Sequence, residues 1–254
     1  MPPPETRPLT GLGVLVTRPS PQADRQVGLI RAAGGRALLL PLLAIDAADD
    51  PAAASVALMQ PAALSIFTSV NAVTAAARLL PPPWPGLCAA TGTATAAALR
   101  QQGVDPVLEP LRDGAAGLLE LPQLRALRGR RVRLVCGQNP LPDLARGLRV
   151  RGAELIVAEV YRRRRLPHPP QRLRELLADA QAAIVTSGEA LEHLLNLTPG
   201  DARPHLLALQ LALPSPRIAA QARTAGFTRS PLVPHRVNDP ALVEALVSWW
   251  REHV

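Results

Sequence analysis

The chain has 254 residues and a formal net charge of +8, and because it contains no lysine that charge is carried by arginine. A phosphate loop of the Walker type needs its lysine and Schiff-base chemistry needs an amine, so both are excluded. The length suits one large domain or two small ones, and Arg, Pro or Asp interrupts every apolar run before it reaches bilayer-spanning length.

Residues 1–8 have no apolar core behind a basic front and read as a tail, not an export signal, which makes a cytoplasmic protein the expectation. A short buried strand over 11–16 follows. Pro19 and Pro21 sit where a helix would start, and that helix runs from about 22 to 33 before Gly34-Gly35 stops it. A strand over 36–40 ends at Pro41, residues 42–46 are extended, and Asp49-Asp50-Pro51 marks a boundary. A helix over 52–59 leads to the strand 64–67, the turn Thr68-Ser69-Val70-Asn71 and a helix through 80. Residues 81–86 form a rigid proline loop, after which the strand 87–90 feeds Thr91-Gly92-Thr93-Ala94-Thr95 and a helix ending near Gly103.

Next come a short strand at 107–108, a helix over about 114–127, the basic turn Arg128-Gly129-Arg130-Arg131, a strand over 132–136 and a helix over about 141–151. Residues 155–161 are extended, and 162–170, with four arginines and three prolines, read as a linker. A helix over 171–180, a strand ending in Thr186-Ser187-Gly188 and a helix through 195 follow. A strand over 206–213, the turn Ser215-Pro216-Arg217, a helix to Gly226 and a terminal helix over 240–252 complete the chain. Short buried strands alternating with helices describe an α/β fold with parallel sheets. Cys88 and Cys136 lie in apolar, strand-like surroundings and read as small buried hydrophobes, and the five histidines are too scattered to hold a metal.

The strand-turn-helix unit around Thr68-Ser69 is repeated about 118 residues later around Thr186-Ser187. Two further pairs match in the same order: Val14–Arg18 with Val132–Gly137, and the turn at Gly92 with the turn at Ser215. Two similar halves are therefore expected. Each matched turn places hydroxyls and backbone N–H groups at a helix N-terminus beyond the carboxyl end of a strand, where such sheets bind ligands and where an anion is stabilised. Shared between two halves, these seats suit something with several negative groups.

Over about residues 11–250 the chain resembles the uroporphyrinogen-III synthase family of haem biosynthesis. The resemblance is carried by Val16-Thr17-Arg18-Pro19 with Gln22-Ala23, Phe67-Thr68-Ser69-Val70-Asn71-Ala72-Val73, Gly92-Thr93-Ala94-Thr95-Ala96, Val160-Tyr161-Arg162, Val185-Thr186-Ser187-Gly188, and Arg217 to Gly226 followed by Phe227. It implies two flavodoxin-like parallel-sheet domains joined by a two-stranded linker, the first domain discontinuous. Residues 1–40 and 167–254 would form that domain, 47–158 the second, and 41–46 and 159–166 the linkers. The implied reaction closes hydroxymethylbilane, a linear tetrapyrrole bearing acetate and propionate arms, with loss of water and inversion of the terminal ring through a spiro intermediate. No cofactor or metal is implied. A cytoplasmic monomer is expected, with its substrate handed over by the preceding pathway enzyme.

The family's positions imply substrate contacts at Ser69, Asn71, Gly92, Thr95, Thr186, Ser187, Gly188, Ser215 and Arg217. Arg18 either binds a carboxylate or braces its turn. Tyr161, the sole tyrosine, is either the acid that protonates the leaving hydroxyl or a linker residue that packs between domains. Residues 137–143 lack the basic residue of many relatives, and Pro214-Ser215-Pro216 is stiffer than the usual glycine-containing turn. Two other readings are a two-lobed polyanion-binding protein without catalysis and a nucleic-acid-binding module. Against the second, the six aromatic residues are not interleaved with the arginine clusters.

Overall fold

The computed structural model describes residues 7–140 and 142–253; most of the expected tail, and Leu141 of the expected helix start, lie outside the described residues. The chain forms two compact units, one from Met1–Ala44 with Arg164–Val254 and the other from Ile45–Arg163.

The first segment contains β1 (Gly13–Val16), α1 (Ser20–Ala32) and β2 (Arg36–Leu39). The chain enters the other unit along β3 (Leu43–Ala47) and continues through α2 (Pro51–Met59), β4 (Leu64–Phe67), α3 (Val70–Leu79), β5 (Leu87–Ala90), α4 (Thr93–Gln101), β6 (Val107–Leu108), α5 (Ala115–Leu119), β7 (Arg131–Gly137), α6 (Pro142–Val150) and β8 (Glu154–Arg165). Back in the first unit are α7 (Pro170–Asp179), β9 (Ala182–Ile184), α8 (Gly188–Leu197), α9 (Arg203–Ala208), β10 (Gln210–Ala212), α10 (Pro216–Thr224) and α11 (Asp239–Arg251).

The strand order is β10-β9-β1-β2 in one sheet and β3-β8-β7-β4-β5-β6 in the other. Leu232 adds a parallel bridge beside Ala212 at the β10 edge. With β3 set aside the two orders superimpose: β2-β1-β9-β10 and the Leu232 bridge correspond to β8-β7-β4-β5-β6. The three repeats found in the sequence therefore occupy equivalent places, β1 with β7, β9 with β4 and β10 with β5.

Parallel sheets covered by helices on both faces bury both sides of each strand, which is why β1, β4, β9 and β10 are buried at every position. Successive residues feed opposite cores. Leu15, Ala183 and Leu211 join one cluster of the first unit, while Val14, Val16, Ala182, Ile184 and Ala212 join the other. In the second unit Cys88, Ala90 and Val135 alternate with Ala89, Leu134 and Cys136 in the same way.

Two expectations are corrected. Residues 206–213 are not one strand: α9 takes 203–208 and β10 is only Gln210–Ala212, because Pro204 sits in the first turn of α9 where its fixed φ favours a helix. The expected helix over 114–127 breaks after Leu119 and resumes as a 3₁₀ turn at Pro122–Leu124, since proline has no N–H to continue the ladder. The arginine run 162–165, expected as a linker, is the end of β8, with exposed side chains and with Arg162 paired to Asp46 and Asp49 at 4.0 and 2.5 Å.

Arg133, in the middle of β7, is fully buried, with no carboxylate partner among the described residues. Its guanidinium donates to Ala57 O at 2.9 Å, to Ser65 Oγ at 2.7 Å and to Gln60 O. The two carbonyls belong to the end of α2, where the helix has no N–H donors of its own to offer them and a cation is favoured. Desolvation lowers the pKa of this arginine from its ordinary value.

Burial pushes the Cys88 thiol to about 11; it pushes Cys136 to about 12, with the Glu159 charge adding to the rise. In the unfolded chain both thiols ionise near 9, so above that pH the folded protein holds more protons than the unfolded one and stability falls as pH rises. Denaturation midpoints should therefore decline between about pH 9 and 11, and a Cys88→Ala, Cys136→Ala variant should show a flatter decline.

Candidate functional site

The matched turns lie at the carboxyl ends of the strands in each unit, and each unit carries part of the expected site. In the second unit β4 ends at Phe67 and α3 begins after Ser69, whose Oγ accepts from Ala72 N at 3.1 Å as the N-cap. A capping hydroxyl used as acceptor keeps its own O–H to donate. The neighbouring turn is tied on by Thr91 Oγ1, which donates to Thr68 O at 3.0 Å.

Tyr161 lies within β8, as a strand residue of the second unit, and its side chain is 4% exposed. Its Oη is 3.2 Å from Ser69 Oγ. The ring lies over Gly137, at the end of β7, where the register between β7 and β8 shifts. A Cβ at Gly137 would come within 2.6 Å of the tyrosine Cζ, so glycine is what allows the ring to lie there. Tyr161, Ser69, Thr68, Thr91, Gly137 and Arg163 are among the residues lining a cavity of about 330 Å³ at these strand ends. Arg163 brings a guanidinium to it, and the cavity's remaining polar groups are mainly hydroxyls.

Gly92 is the N-cap of α4 and is buried. The α4 start is capped from outside: Asp113 Oδ1 accepts from Thr93 N at 3.0 Å and from Thr93 Oγ1 at 3.4 Å. Thr95 is buried on the inner face of α4. The α4 hydroxyl at the surface is that of Thr93. Asn71 is half-buried in the first turn of α3 and is engaged in an interaction of its own.

In the first unit Thr17 Oγ1 donates to Ile184 O at 2.9 Å, locking the end of β1 to β9. Arg18 pairs with Asp239 at the start of α11, and the same carboxylate accepts from Gln26 Nε2 at 3.2 Å. This pairing ties the turn after β1 to the start of α11. Ser187 caps α8 through Ala190 N at 3.1 Å, and Ser215 caps α10 through Ile218 N at 3.4 Å. Thr186 and Gly188 flank Ser187 and are half-buried. Pro216 in the first turn of α10 removes one N–H from that seat. Arg217 is exposed on α10.

The structure thus gathers Ser69, Gly92 and Tyr161 at one set of strand ends and Arg18, Thr186, Ser187, Gly188 and Ser215 at the other. Sequence reasoning missed Asp113, Gly137, Arg163 and Asp239. A signal existed for two of them: Asp239 follows the capping Asn238, and Gly137 ends a strand pattern. None marked Asp113 as a cap for a helix twenty residues earlier.

Comparison with known proteins bears on the whole chain. Residues 24–244 match the family model described as uroporphyrinogen-III synthase HemD. The chain is 31% identical over 246 residues to the uroporphyrinogen-III synthase of Escherichia coli strain K12, covering 92% of this chain and 100% of that one. It is 32% identical over the same length and coverage to the enzyme of that name from Salmonella typhimurium. Among solved structures, a mutant uroporphyrinogen III synthase from the extremely thermophilic bacterium Thermus thermophilus shares the fold with a TM-score of 0.65 at 21% identity, covering 96% of this chain and 100% of that one. The uroporphyrinogen-III synthetase of Helicobacter pylori 26695 does so with a TM-score of 0.60 at 16% identity, covering 94% and 99%. No helix among the described residues is long and apolar enough to cross a membrane.

Proposed function

The chain belongs to the uroporphyrinogen-III synthase family, and from that premise we propose that its strand-end hydroxyls and Tyr161 close hydroxymethylbilane to uroporphyrinogen III. The observation that carries this reading is the Tyr161–Ser69 contact in the lining of a cavity among the strand ends. Tyr161 Oη gives its proton to the departing hydroxyl of the bilane, which leaves as water. The resulting azafulvene cation attacks the substituted carbon of the terminal ring, forming the spiro intermediate. Fragmentation and reclosure deliver that ring inverted, and the proton lost on rearomatisation balances the one supplied. Ser69, hydrogen-bonded to Oη, sets the direction of the phenol.

The acetate and propionate arms are held by hydroxyls and N–H groups at helix starts: Ser69 and Asn71 on α3, Gly92 and Thr95 on α4, Thr186, Ser187 and Gly188 on α8, Ser215 and Arg217 on α10. In this reading the protein is a cytoplasmic monomer that takes the bilane from the preceding enzyme. Incubation with enzymatically made hydroxymethylbilane, followed by separation of the type I and type III products, is the direct test: type III is expected above the spontaneous type I background, and type I alone would refute the proposal.

Because binding is spread over many small donors, Ser69→Ala or Thr186→Ala should each cost about 1 kcal/mol of substrate binding, read as a several-fold rise in KM. Loss of all activity from either change would assign the chemistry to that side chain.

A further inference from the structure

Of the four matched helix starts, those of α3, α8 and α10 are capped by their own serines. At α4 the capping residue is Gly92, which has no side chain to offer, and the donors go to the carboxylate of Asp113. We propose that Asp113 is a place-holder at the α4 seat, which a carboxylate arm of the substrate must displace in order to bind. This rests on the reading of Gly92 as part of the site for hydroxymethylbilane.

Three observations carry it. A Cβ on Gly92 would lie 2.7 Å from the carboxyl carbon and Oδ1 of Asp113, so the glycine is what lets a carboxylate come down onto this backbone. The group seated there has the same chemistry as the arms of the substrate, and the same donors serve either one. The seated group is also easily released. Asp113 is exposed, so it passes into water without being stranded. The next residue, Gly114, lines the cavity that contains Tyr161, with its N–H on Thr91 O at 2.6 Å.

Displacement exchanges one carboxylate for another, with no net change in charge at the helix start. It taxes the arm bound at α4 by the stability of the internal cap, and the return of Asp113 helps to expel that arm after turnover.

The test compares Asp113→Ala and Asp113→Asn with the unaltered protein, by steady-state kinetics on hydroxymethylbilane and by calorimetric titration with uroporphyrin III as a redox-stable octacarboxylate. The alanine variant should lower KM and tighten uroporphyrin binding about threefold to tenfold, the factor expected for removing a competing N-cap. The asparagine variant, which keeps the acceptor oxygen without the charge, should fall between. A purely structural cap would lower the melting temperature and leave KM unchanged or raised, and that result overturns the proposal. If the unaltered protein forms no type III product, the failure is that of the proposed function and this inference falls with it; type III product with an unaltered KM in both variants defeats this inference alone.

Discussion

Tyr161→Phe should lower turnover of hydroxymethylbilane about tenfold to a hundredfold, with the fold intact and the product still the type III isomer. General acid assistance contributes roughly 10² to 10⁴ in rate, and the effect here is at or below the bottom of that range because the pyrrole nitrogen stabilises the cation and the hydroxyl leaves fairly readily unaided. The substitution removes one oxygen from a buried ring that otherwise rests on Gly137, so packing is retained. It also removes the partner of Ser69 Oγ, but that hydroxyl still caps α3. Ring inversion follows from how the terminal ring is held, not from which group donates the proton. Steady-state rates and isomer ratios check both parts: an unchanged rate would leave Tyr161 a packing residue, and a shift toward type I would give it a part in steering closure. Gly137→Ala should mimic the loss, since the added methyl and the tyrosine ring compete for the same space.

Arg133→Met should destabilise the second unit by about 3–5 kcal/mol. Methionine fills much of the arginine volume, so little of this comes from a cavity. The cost comes from Ala57 O, Gln60 O and Ser65 Oγ, which lose their donor inside the protein. Ser65→Ala removes one partner while leaving the guanidinium two carbonyls, and should cost about 1 kcal/mol. Urea unfolding followed by a probe in the second unit, such as Trp84 fluorescence, separates the two variants; equal midpoints would show that the α2 carbonyls are satisfied in another way. Trp84 suits the measurement because it is buried against Phe67, with ring centroids 4.8 Å apart.

The parallel sheets, the three matched repeats and the positions of the helix starts were legible from residue order because each depends on a few adjacent residues. A buried parallel strand is a short apolar run, and a helix start is a serine or glycine before a helical stretch. The same locality explains the failures at 203–209 and 115–124. There an apolar run suits a strand or a helix equally, and a single proline, Pro204 or Pro122, decides which backbone is formed.

By itself, then, the sequence determined the α/β class, the internal duplication and the seats at Ser69, Gly92, Ser187 and Ser215. Only the tertiary structure decided what fills those seats and what surrounds the tyrosine. Asp113 reaches α4 from a loop twenty residues on, Asp239 reaches Arg18 from the far end of the chain, and Arg133 reaches back to the end of α2. Gly137 and Tyr161 meet because β7 and β8 are neighbours in the sheet. The physical reason is one of range: backbone conformation and capping are set by interactions within a turn or two, whereas the partner of a side chain depends on which strands lie together, and that is settled when the whole core packs.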